Sequence, residues 1–102
     1  MTNTQNIGAI IVKLMEEESK LKEAYDKAYD ENSCAYERVL VWEEAYTTSG
    51  EDEKVGETLD EVYDEYSEAN EAMHEAEERV EAIDEALQAL RKAAELIEWL
   101  GL

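Results

Sequence analysis

The stretch that decides the fold is residues 57–100, which read ETLDEVYDEYSEANEAMHEAEERVEAIDEALQALRKAAELIEWL. Apolar residues recur through it at alternating steps of three and four without a slip: Leu59, Val62, Tyr66, Ala69, Met73, Ala76, Val80, Ile83, Leu87, Leu90, Ala94 and Ile97. This spacing is the seven-residue repeat that forms the seam of a coiled coil. No glycine or proline interrupts the stretch, and good helix formers fill most of the other positions. We therefore predict one helix over about residues 57–100.

The first half of the chain repeats this spacing less regularly. Its seam residues are Ile7, Ile11, Leu14, Leu21, Tyr25, Ala28, Ala35, Val39, Trp42 and Tyr46. Glu18 and Asn32 occupy two seam positions where an apolar residue is expected. Because the phase of the repeat continues through Asn32, we predict a continuous helix over about residues 5–47 with a polar seam residue that fixes its register. The alternative is a break near 31–33, where Asn32-Ser33 ends one helix and caps another.

Residues 48–56 separate the two helical patterns and show no periodicity. They include two glycines and the acidic run Glu51-Asp52-Glu53, so we predict an acidic loop here. Thr58, with Glu61 three residues later, matches a capping box that would begin the second helix. A connection this short forces the two helices to run antiparallel.

The predicted fold class is therefore all-α: a long, coiled-coil-like antiparallel helical hairpin forming a single domain over 1–102. One hairpin buries only one stripe of each helix, and small cores are marginally stable. A three-helix bundle and a dimeric four-helix bundle are the alternatives that would bury more. In the dimer, the aliphatic segments 7–15 and 86–102 would hold two copies together.

The charge of the chain limits its partners. It has 28 acidic and 9 basic residues, a net charge of −19, and 14 of those net charges lie within residues 51–85. This charge argues against direct binding to nucleic acid or to an anionic membrane, because both require a basic surface. A single cysteine excludes an intramolecular disulfide and fits a reducing compartment. No apolar run is long enough to span a bilayer, so we expect a cytoplasmic protein.

The acidic residues of the second helix are ordered. Eight of them follow the three–four step on the face opposite the seam, with Ala82 as the only gap: Glu57, Glu61, Asp64, Glu68, Glu71, Glu75, Glu78 and Glu85. A solvated face usually mixes charge signs, because like charges four residues apart repel each other. We weigh two interpretations equally, a face that provides solubility and a surface that meets a basic partner. The predicted partner-binding residues are Glu51, Asp52, Glu53, Glu57, Asp60, Glu61, Asp64, Glu65, Glu68, Glu71, Glu75 and Glu78.

A small, strongly acidic, helical chain with ordered carboxylates resembles the DNA-mimic inhibitors encoded by phages and mobile elements, such as anti-CRISPR and anti-restriction proteins. The resemblance is carried by the row from Glu57 to Glu85 and by Glu51-Asp52-Glu53. It implies a non-enzymatic inhibitor that blocks the nucleic-acid site of a CRISPR effector or restriction enzyme in a bacterial host cell. The alternative is a coiled-coil scaffold or oligomerisation protein whose acidic face provides solubility.

Glu71 and His74 have the Glu-x-x-His spacing of helical di-iron proteins. Encapsulated ferritins are similar in size and are helical hairpins that complete a metal site across a dimer, so a ferritin-like metal-binding dimer is the second alternative. Both residues lie off the seam and should face water, so we assign no metal ligand and no cofactor. The sequence has no glycine-rich phosphate loop, zinc spacing or Ser/His/Asp set, so we assign no catalytic residue and expect no enzyme.

Overall fold

The computed structural model describes residues 3–101, with side-chain environments from residue 5 onward. It contains two helices, α1 over Asn3–Thr48 and α2 over Glu53–Leu100. They pair in antiparallel orientation, which confirms the predicted all-α hairpin. Residues 1, 2 and 102 of the predicted domain lie outside the part of the chain that the structure describes.

The seam predicted from the sequence is confirmed position by position. Every seam residue of either helix is buried or half-buried, including the polar residues Glu18 and Asn32. Helix α1 continues without interruption through residues 31–33, so the alternative of a break there is wrong. Instead of capping a new helix, Asn32 lies within α1, and its side chain donates a hydrogen bond to the Asn70 side chain of α2, at 3.4 Å.

The core of the hairpin is thin. In the described part of the chain, the buried apolar side chains are Val39, Leu59, Val62, Ile83 and Leu87. Val62 and Leu87 are each only 1% exposed. Full burial of such a side chain contributes about 1.5–3 kcal/mol, so these few residues carry much of the packing energy.

The turn between the helices is closed by backbone geometry. The Glu51 amide donates to the Tyr46 carbonyl at 3.0 Å, and the Gly50 amide donates to the Thr47 carbonyl at 3.2 Å. This pair of bonds is the Schellman motif that ends many helices, and its left-handed position falls on Gly50, with φ +72°. Glu51 is also left-handed, with φ +64°, a conformation that costs a residue with a Cβ more than it costs glycine.

Helix α2 begins four residues before the predicted start, and its cap is not the predicted one. Asp52 Oδ1 accepts hydrogen bonds from the amides of Lys54 and Val55, at 3.0 and 3.2 Å, which is N-cap geometry. The Thr58 hydroxyl instead donates to the Lys54 carbonyl one turn earlier. The capping box of Thr58 and Glu61 is therefore wrong, and the predicted loop 48–56 shrinks to the four residues between Thr48 and Glu53.

The chain divides into two compact units. The loop unit comprises residues 25–75, and the terminal unit comprises residues 1–24 and 76–102. Each unit takes one segment from α1 and one from α2.

Candidate partner-binding surface

Eleven of the twelve predicted partner-binding residues lie in the loop unit, and Glu78 lies in the terminal unit. Glu51 and Asp52 belong to the turn, and Glu53 is the first residue of α2. All twelve side chains are exposed. The structure therefore gathers most of the set into one unit but leaves Glu78 outside it.

Six of these acids form the regular part of the surface, which we call the acidic row: Glu57, Glu61, Asp64, Glu68, Glu71 and Glu75. They follow the three–four step on the outer side of α2, because the seam residues occupy the side that faces α1. Since a helix rises 1.5 Å per residue, successive acids are about 5 Å apart along the axis, and the row is about 27 Å long. Asp60 and Glu65 flank the row on opposite sides of the helix.

The chain's own basic residues leave most of this surface unpaired. The loop unit holds 17 acidic residues and three basic ones, a net charge of −14. Within the described residues, the one ion pair of a Lys or Arg that reaches the predicted set joins Arg38 of α1 to Glu65 of α2, at 2.5 Å. Both side chains are largely exposed, so this pair contributes only about 0.2–1 kcal/mol. Within that part of the chain, the acidic row itself therefore has no Lys or Arg in ion-pair contact.

A surface pocket of about 330 Å³ lies near the turn. Its lining residues are Tyr46, Glu53, Gly56, Glu57, Leu59 and Asp60. Gly56 makes room for the Tyr46 ring, because a Cβ added at Gly56 would lie 3.1 Å from Tyr46 Cε2. The pocket thus combines three exposed carboxylates with a half-buried aromatic side chain. Sequence reasoning identified the carboxylates and missed Tyr46, Gly56 and Leu59 as parts of a site.

A hydrogen bond between the helices also shapes the flank of the row. The Tyr63 hydroxyl donates to Glu43 Oε1 at 2.8 Å. This bond raises the pKa of Tyr63 above its ordinary value of 10.0, and the nearby charge of Asp60 acts in the same direction. This exposed hydrogen bond therefore joins α1 to α2 beside the acidic row.

The Glu-x-x-His pair offers no assembled metal site in one copy. Glu71 and His74 are both exposed. Among the described residues, no three His, Cys, Asp or Glu side chains converge in a way that could hold a metal ion. A site built on this pair would need ligands from another molecule.

Comparison with known proteins gives no relative to argue from. No protein-family model, curated protein or solved structure matches this chain. Within residues 3–101, neither helix has a segment that combines the length and the apolar character needed to cross a membrane.

Proposed function

We propose that the protein is a non-enzymatic inhibitor that binds a nucleic-acid-binding defence protein, such as a CRISPR effector or a restriction enzyme. The acidic row and the turn acids would occupy the basic surface that normally holds nucleic acid. The observation that carries this proposal is the acidic row itself, whose six carboxylates are exposed and have no ion pair with Lys or Arg in the described part of the chain.

The row weakens the isolated helix. Glu57–Glu61, Asp64–Glu68 and Glu71–Glu75 are like-charged pairs four residues apart. Each such pair destabilises a helix by about 0.2–0.5 kcal/mol. Solubility alone needs no uniform sign, because mixed charges serve it as well. In a complex, attraction between the carboxylates and a cationic partner would offset the loss of helix stability that these repulsions cause.

The spacing of the row suits a target protein whose basic surface normally binds a polyanion such as nucleic acid. Its step of about 5 Å is of the same order as the separation of charges along a nucleic-acid strand. The pocket near the turn adds a distinct feature, because carboxylates beside an aromatic ring suit the guanidinium of an arginine side chain. Basic surfaces that bind nucleic acid are rich in such side chains.

Binding through opposite charges should make association with the target fast and dependent on salt. Long-range attraction between opposite charges speeds association, and salt screens it. Affinity for the target should therefore fall steeply as salt rises from about 50 mM to about 500 mM. An affinity that stays constant over this range would argue against mimicry of nucleic acid.

The decisive experiment displaces labelled DNA from a purified restriction enzyme or CRISPR effector. The test variant reverses four charges of the row: Glu61→Lys, Asp64→Lys, Glu68→Lys and Glu71→Lys. The matched control reverses four exposed acids of the terminal unit: Glu16→Lys, Glu23→Lys, Glu95→Lys and Glu98→Lys. Both variants change the net charge equally. We expect the row variant to lose affinity about a hundredfold, at about 0.7 kcal/mol per charge. We expect the control to lose much less.

The same pair of variants distinguishes the coiled-coil scaffold, which the exposed apolar residues of the terminal unit favour. In a scaffold the acidic row serves only solubility. Its reversal would then leave assembly intact and would not lower stability, because lysines alternating with the remaining acids form attractive pairs. Equal loss of DNA displacement in the row variant and the control would also contradict the inhibitor proposal.

A further inference from the structure

The largest exposed apolar side chains of the terminal unit lie close together near the end of α2. Leu96 is 55% exposed, Trp99 is 81% exposed and Leu100 is 53% exposed. Leu96 and Trp99 line a surface groove with Lys92 and Glu95. In α1 of the same unit, Ile10 is 48% exposed. This much apolar surface on one unit is typical of an interaction site.

The apolar side chains of α2 follow a second seam beside the first. Its members are Ala82, Ala86, Ala89, Ala93, Leu96 and Leu100. The three–four step places them on one face of α2, and all but Ala93 are exposed. The equivalent heptad positions nearer the turn hold Glu61, Glu65, Glu68, Ala72, Glu75 and Arg79. This face of the helix is therefore mainly acidic in the loop unit and mainly apolar in the terminal unit.

We infer that a second copy of this chain docks on the apolar face of the terminal unit. Charge favours this segment over any contact that brings two loop units together. Residues 86–102 contain two acidic and two basic residues, so this segment is neutral, whereas the loop unit carries −14. Two copies repel each other wherever their loop units approach, and they meet without that repulsion at this segment. An apolar and neutral patch is also self-complementary, as a two-fold symmetric interface requires.

The available area sets the strength of such a dimer. Residues 82–100 span about 27 Å of a helix about 10 Å wide, and burial of Trp99 adds about 150–250 Å². Each copy then contributes on the order of 500 Å², which is at the low end for a specific interface. We therefore expect a dimer that forms at high protein concentration and dissociates on dilution. This inference does not depend on the proposed inhibitor function.

The test is sedimentation equilibrium of the full chain over a range of protein concentrations. The wild-type mass should rise from that of one chain to that of two. Leu96→Glu should raise the dissociation constant at least about tenfold, because it places a charge in an apolar interface. Val41→Glu is the matched control, since Val41 is 64% exposed and lies in the loop unit. It should leave the dissociation constant unchanged. Circular dichroism should show that both variants keep their helices.

The response to salt should distinguish this interface from the proposed partner-binding surface. Salt screens the repulsion between two acidic copies, so dimerisation should strengthen between about 50 mM and about 500 mM salt, whereas binding of a basic target should weaken. Trp99 fluorescence, isolated in a Trp42→Phe variant, should shift to shorter wavelength as the dimer forms. A single-chain mass at every concentration and salt level would overturn the inference. Equal effects of Leu96→Glu and Val41→Glu would also overturn it.

Discussion

The loop unit and the terminal unit use the same two helices but stabilise their pairing differently. In the loop unit, three side-chain hydrogen bonds join α1 to α2: Asn32–Asn70, Arg38–Glu65 and Tyr63–Glu43. In the terminal unit, the ion pairs Lys20–Glu17 and Lys22–Glu18 each lie within α1. The three contacts between the helices named above all lie in the loop unit.

The two units therefore differ in the contacts that join their helices and in the side chains that they expose. Polar contacts between paired helices can fix their register. The loop unit, which has these contacts, also carries a net charge of −14. Among the described residues, the buried apolar side chains are Val39, Leu59 and Val62 in the loop unit, and Ile83 and Leu87 in the terminal unit. The terminal unit also leaves large apolar side chains exposed near the end of α2. Four predictions test how far the two units differ, starting with the largest effect.

The largest effect should come from the core of the terminal unit. Leu87 is 1% exposed, and Leu87→Ala should lower the free energy of unfolding by about 2–5 kcal/mol, because the thin core leaves few side chains to fill the cavity. Urea denaturation measures the loss. Hydrogen exchange should show faster opening in the terminal unit than in the loop unit. Leu96→Ala is the control, and under conditions that keep the chain monomeric it should change stability by less than about 1 kcal/mol. Uniform acceleration of exchange along both helices would show that the units unfold as one.

A smaller effect should come from the polar pair in the loop unit. Asn32→Ala removes the donor of the hydrogen bond to Asn70 and should lower stability by about 1 kcal/mol. A double-mutant cycle with Asn70→Ala measures the coupling between the two side chains. Asn6→Ala, an exposed position of the terminal unit, is the control. A coupling energy of zero would mean that this contact does not fix the register.

Removing charges from the acidic row should raise the stability of the fold, whereas the two changes above lower it. Glu61→Gln and Glu68→Gln remove like-charged neighbours and should raise stability by about 0.2–0.5 kcal/mol for each pair relieved. The gain should shrink as salt rises, because salt screens exposed charges. Glu17→Gln, which breaks the attractive pair with Lys20 in the terminal unit, should instead lower stability slightly. Thermal denaturation at low and high salt measures both changes.

The smallest effect concerns the ionisation of Tyr63. Because the Glu43 carboxylate accepts its hydrogen bond, the pKa of Tyr63 is raised, and Glu43→Gln should lower it toward 10.0. The folded state favours the protonated hydroxyl. Its contribution to stability is therefore fully present below pH 10.0 and is lost as the pH rises through the higher pKa of the folded state. Tyrosinate absorbance, taken as the difference from a Tyr63→Phe variant, measures the pKa. Glu44→Gln should leave it unchanged.

The sequence alone predicts the helices and their seam well, because a regular repeat of 3.5 residues specifies a face without reference to any distant contact. It fails at the turn, where two local signals compete. Gly56 suggests a break, but in the structure it lies within α2 and accommodates the Tyr46 ring. Thr58 suggests a cap, but Asp52 provides it, because the Schellman turn places Asp52 directly before α2.

The candidate surface, like the fold, can be predicted only in part from the sequence. The sequence predicts that the acidic row is exposed, because the row lies opposite the seam. The exact register of the two helices does not follow from the repeat, so the pairing of Glu65 with Arg38 and the bond from Tyr63 to Glu43 required the structure. The pocket near the turn depends on the same register, because Tyr46 comes from α1 and its other lining residues from α2.

The tight turn between Thr48 and Glu53 also restricts how related chains can differ in length. A residue inserted into either helix would rotate everything beyond it by about 100° and would bring acidic side chains into the seam. The turn cannot easily change conformation to compensate for such a rotation, because its amides and the Asp52 side chain already take part in hydrogen bonds. Homologues that keep this architecture should therefore gain or lose whole heptads, in matched amounts on both helices.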